Sequence, residues 1–201
     1  MKPILFYLPL PIVTPRLILT APRIGDGIAL NSAILESFPI LTQFMPWAAN
    51  RPSIDESEEF VRTAAANWIL KEAAEPWLPL FMWDKKTDDF IGATGLHNIN
   101  WQIPSGECGY WIKQKYSGHG FMLEAINALT WYAFKELRFN RFAITCAIDN
   151  LKSKHIPEKL DFALEGTLKN HRLKPQTKLL SDTLIYARYN LINLPELTVT
   201  W

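Results

Sequence analysis

The stretch YWIKQKYSGHGFMLEAINALTWYAF, residues 110 to 134, constrains the fold more than any other part of the chain. An apolar strand, YWI, runs into a polar loop with two glycines. The loop opens directly into a helix with Met122, Ile126, Leu129, Ala133 and Leu137 along one face. Downstream come a strand (141–148), a helix (151–160) and two more strands (162–169 and 181–191), an order that predicts one parallel strand pair. Upstream, the runs 76–84, 89–100 and 106–113 are separated only by KKTD and WQIPS, which predicts an antiparallel meander. A strand over 14–22 precedes a helix over GIALNSAILES that Asp26 is placed to cap. In the next helix, 53–74, Ser53 and Glu56 form a capping box, and Phe60, Ala64 and Trp68 form a face. The expected fold class is therefore α/β (α+β). It is a mixed, mostly antiparallel sheet of about seven strands flanked by about four helices, in one domain over 1–201.

Hydrophobic residues make up 48% of the 201 positions, enough for a sizeable core. The 21 basic and 20 acidic residues are spread through the chain and leave a net charge of +1, so a one-sided basic field for nucleic acid is absent from the sequence and no nucleic-acid partner is expected. No apolar run reaches the ~20 residues of a membrane helix. Two prolines interrupt the leading MKPILFYLPLPIV, and no small-residue cleavage site follows it, so it reads as mature protein rather than a leader. A cytoplasmic location without a membrane partner is expected. Cys108 and Cys146 lie in strand-like runs without CxxC spacing or a nearby histidine cluster, so both are expected to be reduced core residues, with no metal site.

A strand-to-helix loop gathers unsatisfied N–H groups at the positive end of the helix dipole, and such a place favours an anion. Gly118 and Gly120 remove the Cβ atoms that would block close approach, and Lys113, Lys115 and His119 add positive character. A diphosphate suits that description. An ordinary turn that uses glycine for its geometry suits it equally, because the spacing is neither GxGxxG nor GxxxxGK[ST].

The order of elements and four segments separate these readings. Lys115-Tyr116-Ser117-Gly118-His119-Gly120 is similar to the pyrophosphate loop [Q/R]-x-x-G-x-[G/A] of the GCN5-related N-acetyltransferase (GNAT) family. TPRLILTAPRIGDG, FIGATGLHNIN, GECGYWIKQKYSGHGFMLEAINALTWYAFKELRFNRF and DNLKSKHIPEKLDFALEG resemble the branch of ribosomal-protein N-terminal acetyltransferases (RimJ/RimL-like), over roughly residues 12 to 190. The resemblance implies acetyl-CoA as cosubstrate and a primary amine as acceptor, either a peptide N-terminus or a small amine such as a polyamine, amino acid or aminoglycoside. It implies that the main chain at Trp111, Ile112 and Lys113 pairs with the pantetheine arm, and that the amides from Ser117 through Gly118, His119, Gly120 and Phe121 to Met122 hold the pyrophosphate. It also implies that Asn150 and Ser153 face the cofactor, with Ser153 donating to the leaving thiolate. N-capping is an equal reading for Asn150. Lys152 and Lys154 are candidates for the 3′-phosphate. On a two-residue period Glu107 shares a face with Gly109 and Trp111, which makes it the candidate base, with His97 the alternative.

Three residues depart from the family pattern. Pro157 should kink or break the helix that starts after Asn150. Asp161 replaces a glycine at the helix C-terminus, and His119 replaces a lysine or arginine. Together they open a reading of another class, a non-catalytic acyl-CoA-binding or interaction protein. The tryptophans also allow a homodimer face.

Overall fold

The structure, a computed structural model, describes residues 2–71 and 76–201. Residues 72–74, the end of the helix expected over 53–74, lie outside the described residues. The elements run β1 (Ile12–Val13), β2 (Leu17–Thr20), α1 (Gly27–Phe44), α2 (Ile54–Leu70), β3 (Leu78–Asp84), β4 (Phe90–Asn100), β5 (Ser105–Ile112), α3 (Phe121–Lys135), β6 (Arg141–Ala147), α4 (Leu151–Lys159), β7 (Ala163–Leu173) and β8 (Leu180–Arg188). They form one sheet in the order β1, β2, β3, β4, β5, β6, β8, β7, antiparallel throughout except for β5 with β6. The expected parallel pair and meander are present. The eighth strand is the two-residue β1, whose Val13 also exchanges backbone hydrogen bonds with Thr200, so the C-terminal segment closes that edge.

Alternation along the strands puts successive side chains on opposite faces. Leu80, Met82, Ile91, Leu96 and Cys108 pack with α3, whose Met122, Ile126, Leu129 and Ala133 are buried as their spacing predicts; Leu137, expected on the same helix, is buried just past its end at Lys135. Ile126 and Leu129 are fully buried, and each contributes about 2 kcal/mol of transfer free energy. The other face carries Phe81, Phe90 and Ala93 against Leu30, Ile34, Leu41 and Val61 of α1 and α2. Cys108 and Cys146 are free and buried.

The helix starts divide. Ser53 and Glu56 form the expected capping box of α2, with Glu56 N–H donating to Ser53 Oγ at 3.1 Å and Ser53 N–H to Glu56 Oε2 at 2.7 Å. The buried face of α2 is Ser57, Val61, Ala64 and Trp68, whereas Phe60 lies at its edge and packs on the Trp77 ring at 5.1 Å. Asp26 does not cap α1: its carboxylate takes the Arg23 N–H at 2.8 Å. Glu58 reaches over from α2 instead and accepts from the Gly25 and Gly27 amides at 3.1 and 3.2 Å. A carboxylate at that end also complements the dipole of α1.

Candidate active site

β5 and β6 pair only from Ser105 with Arg141 to Cys108 with Ile144. Beyond that point they diverge, and β5 from Gly109 to Ile112 keeps a partner on its β4 side alone. The Lys113 N–H donates to Ile91 O at 2.7 Å, and ladder groups alternate, so the N–H and C=O groups of Tyr110 and Ile112 turn into the gap, whereas those of Trp111, expected to face the pantetheine arm, turn to β4. An unpaired strand edge of this kind accepts another extended chain. The gap opens into a cavity of about 540 Å³ between the C-terminal half of α1, the loop after β5, and the starts of α3 and α4.

The loop is held by a short 3₁₀ turn, Gln114–Tyr116, after which Gly118 and Gly120 take φ of 86° and 78°. That left-handed region is open to glycine at little cost. A Cβ at Gly118 would meet nothing within 4 Å, so its side of the loop faces free space. The Ser117 N–H is already donated to Gln114 O at 3.1 Å, and the first amide bonded at the start of α3 is that of Glu124. The amides of residues 118 to 123 have no backbone partner among the described residues, and they stand at the positive end of a 15-residue helix. Of the residues expected to hold a cofactor, all but Lys113 and His119 line the cavity.

The expected cations are engaged elsewhere. Lys113 pairs with Glu36 at 3.2 Å and Lys115 with Asp89 at 3.3 Å. Sequence reasoning missed Arg16, which reaches the loop from β2's N-terminal side. Its Nη1 donates to His119 O at 2.9 Å, its guanidinium lies 4.5 Å from the Phe121 ring centroid, and it pairs with Glu124. The Glu124 carboxylate in the first turn of α3 also takes the Arg16 N–H at 3.0 Å. This network fixes the loop to the sheet edge; only a residue 103 positions from His119 supplies it, so local spacing carried no sign of it.

α4 closes the opposite wall. Asn150 is its N-cap, with Oδ1 accepting from the Ser153 N–H at 3.1 Å, while the residue also lines the cavity. Pro157 does not break the helix, which continues to Lys159. The reason lies on β5. A proline at 157 leaves the Ser153 carbonyl without its usual amide donor, and the Tyr110 hydroxyl donates to that carbonyl at 2.9 Å. Ser153 Oγ in turn donates to the Tyr110 hydroxyl at 3.2 Å. Burial pushes the Tyr110 phenol far up, so it stays a donor at neutral pH. Asp161 adopts the positive φ, 56°, that its glycine counterpart would take. Its added negative charge is answered by buried Arg188, whose Nη1 donates to Leu160 O and, at 2.9 Å, to Asp161 O. Lys152 lines the cavity, and Lys154 pairs with Glu158 at 3.5 Å.

Glu107 and His97 are cross-strand partners on β5 and β4, on the face that carries Gly109 and Trp111, outside the cavity wall. Burial lowers the His97 pKa against the opposing pull of Glu107, so the imidazole is neutral at pH 7. The Trp111 ring lies 6.1 Å from that of half-exposed Trp47, beside the segment that follows α1. Among the described residues no group of three candidate ligands could hold a metal ion, and no helix is long and apolar enough to cross a membrane.

Comparison with known proteins agrees with this geometry. Residues 16–163 match the family model described as an acetyltransferase (GNAT) domain. Over 144 residues the chain is 31% identical to the ribosomal-protein-serine acetyltransferase of Escherichia coli (strain K12), covering 69% of this chain and 75% of that protein. It is 41% identical over 75 residues to YdaF of Bacillus subtilis (strain 168), a match spanning 37% of this chain and less than half, 41%, of that relative. The solved structure of RimL, a ribosomal L7/L12 alpha-N-protein acetyltransferase in complex with coenzyme A, superposes with a TM-score of 0.79 at 22% identity, over 92% of this chain and 99% of that one. At that identity the likeness is one of fold. With the family model covering most of its length, the chain belongs to the GNAT acetyltransferase family.

Proposed function

We propose that the protein is a single-domain N-acetyltransferase that moves the acetyl group of acetyl-CoA to the N-terminal amine of a protein, as the E. coli relative's name describes for a ribosomal protein. The observation that carries the reading is the divergence of β5 from β6 beside the free amides of residues 118–123, around one continuous cavity. The gap offers an extended pantetheine arm the N–H and C=O groups of Tyr110 and Ile112, and the amide nest suits a diphosphate. Lys113 contributes through its position at the end of the strand, since its amide is bonded to Ile91 and its ammonium to Glu36.

The bound cosubstrate supplies a thioester carbonyl for a neutral amine to attack. The Ile112 N–H points into the gap where it can donate to the carbonyl oxygen as negative charge develops there. Ser153 Oγ, placed beside the Tyr110 hydroxyl, is the donor to the departing sulfur once its single proton turns from that hydroxyl toward the sulfur. Glu107, with neutral His97 beside it, receives the amine proton through water. Calorimetric titration with acetyl-CoA and with CoA, followed by thiol release on peptide and polyamine panels, tests the whole reading. Saturable binding with turnover on peptides supports it. Binding without thiol release on any amine favours the non-catalytic alternative.

Ser153→Ala is expected to lower kcat by about a hundredfold or more, the scale of one proton-donating group, while changing acetyl-CoA affinity less than about twofold. Steady-state kinetics beside calorimetry separates the two quantities. An unaltered kcat rejects the assigned role.

A further inference from the structure

A second cavity, of about 180 Å³, meets the first across Phe44, which lines both. Its floor is the end of β6 and the residues after it, Ala147 and Asp149, immediately before Asn150. Its far wall is the end of β7, with His171, Arg172 and Lys174. Near it, Gln176 Nε2 donates to Thr42 Oγ1 of α1 at 2.8 Å, which ties the segment after β7 to α1. The cavity lies beside the gap, next to the loop that leads into Ser153.

The charges in it do not cancel. Lys174 is engaged with Asp149, and its hydrogen bond holds that carboxyl below the usual range, with the Arg172 charge adding a smaller pull from beyond ion-pair distance. Arg172 uses only its Nε on protein, donating to Thr183 Oγ1 at 2.9 Å. Among the described residues no carboxylate pairs with it, although it is half-buried. The Nε bond leaves the two terminal nitrogens free, and a guanidinium presents them as a fork matched to a carboxylate. A polycation such as a polyamine or aminoglycoside would instead meet a like charge in a partly dehydrated wall.

We propose that Arg172 is a specificity-determining residue that binds a carboxylate on the acceptor, and that the acceptor is a protein N-terminus with Asp or Glu within its first three residues. This rests on the acetyltransferase reading for where the amine sits. Small size favours a single side chain in the cavity, and its position beside the gap suits a residue just behind the reacting amine.

The test uses C-terminally amidated hexapeptides that differ only in Asp, Asn or Lys at positions two and three, offered to the full chain loaded with CoA. Calorimetric affinity is read first, because it does not require turnover; kcat/KM by thiol release, with acetyl-CoA in place of CoA, is read second. The Asp peptide is expected to bind about tenfold more tightly than the Asn peptide and to lead by a similar factor in kcat/KM. Arg172→Gln should erase that ratio while leaving acetyl-CoA affinity unchanged, and Arg172→Glu should favour the Lys peptide. Arg172→Lys, which keeps the charge without the fork, should retain part of the preference and guards against a folding defect in the others. Equal binding of the three peptides to wild type, or a preference that survives Arg172→Gln, overturns the proposal. Tighter binding of free aspartate than of the Asp peptide overturns the peptide source. Peptide preference without thiol release leaves Arg172 standing and sinks the acetyltransferase reading instead.

Discussion

Gly118→Glu is expected to lower acetyl-CoA affinity by about a hundredfold or more, to the point where titration shows no saturation. Two effects combine. A non-glycine residue at φ 86° carries backbone strain of about 1–2 kcal/mol. The carboxylate then enters the free space in front of the amides of residues 118–123 and competes with phosphate for those donors. Gly118→Ala separates the two: its Cβ has room, so it should cost about 1 kcal/mol of stability and only a few-fold in affinity. Thermal unfolding measured beside calorimetry distinguishes loss of fold from loss of the anion site. If Gly118→Glu binds acetyl-CoA like wild type, the amide nest does not hold the diphosphate.

The loop was legible because its signals are local. Two glycines between a strand and an amphipathic helix state the turn geometry, and the φ values of Gly118 and Gly120 agree. The same holds for the capping box of α2 and the positive φ at Asp161. What stayed hidden depends on residues far apart in sequence. α1 was expected only over GIALNSAILES, and Pro39 lies just past that run, where it ordinarily pushes the residue before it away from helical backbone. It runs through Pro39 to Phe44 because Leu41 packs into the core beside the sheet, and Ile40 and Phe44 form cavity wall. Lys113 and Lys115 looked like phosphate ligands until Glu36 and Asp89 claimed them. β1 is too short to read as a strand and exists through its pairing with β2 and with Thr200.

Pro157 shows the same limit most sharply, and it yields the second large effect. Read alone, a proline seven residues into α4 predicts a weakened or reshaped site. The Tyr110 hydroxyl, 43 positions from Ser153, supplies the donor that Pro157 lacks, and it accepts from the Ser153 side chain at the same time. Tyr110→Phe is therefore expected to destabilise the protein by about 1–3 kcal/mol, the penalty for a buried carbonyl left without a partner. It should also lower kcat, because Ser153 Oγ loses the group that orients it. Pro157→Ala restores an N–H to the Ser153 carbonyl, so in that background Tyr110→Phe should cost less stability, with a coupling of about 0.5–3 kcal/mol in a double-mutant cycle. The kcat defect should persist in the double variant, since the restored amide serves the carbonyl and leaves the hydroxyl unheld. Urea unfolding of the four proteins reads the first quantity and steady-state kinetics the second. Additive stabilities would mean that Tyr110 does not stand in for the amide Pro157 removes. A kcat that recovers with stability would mean that Tyr110 acts on the helix alone and does not position Ser153.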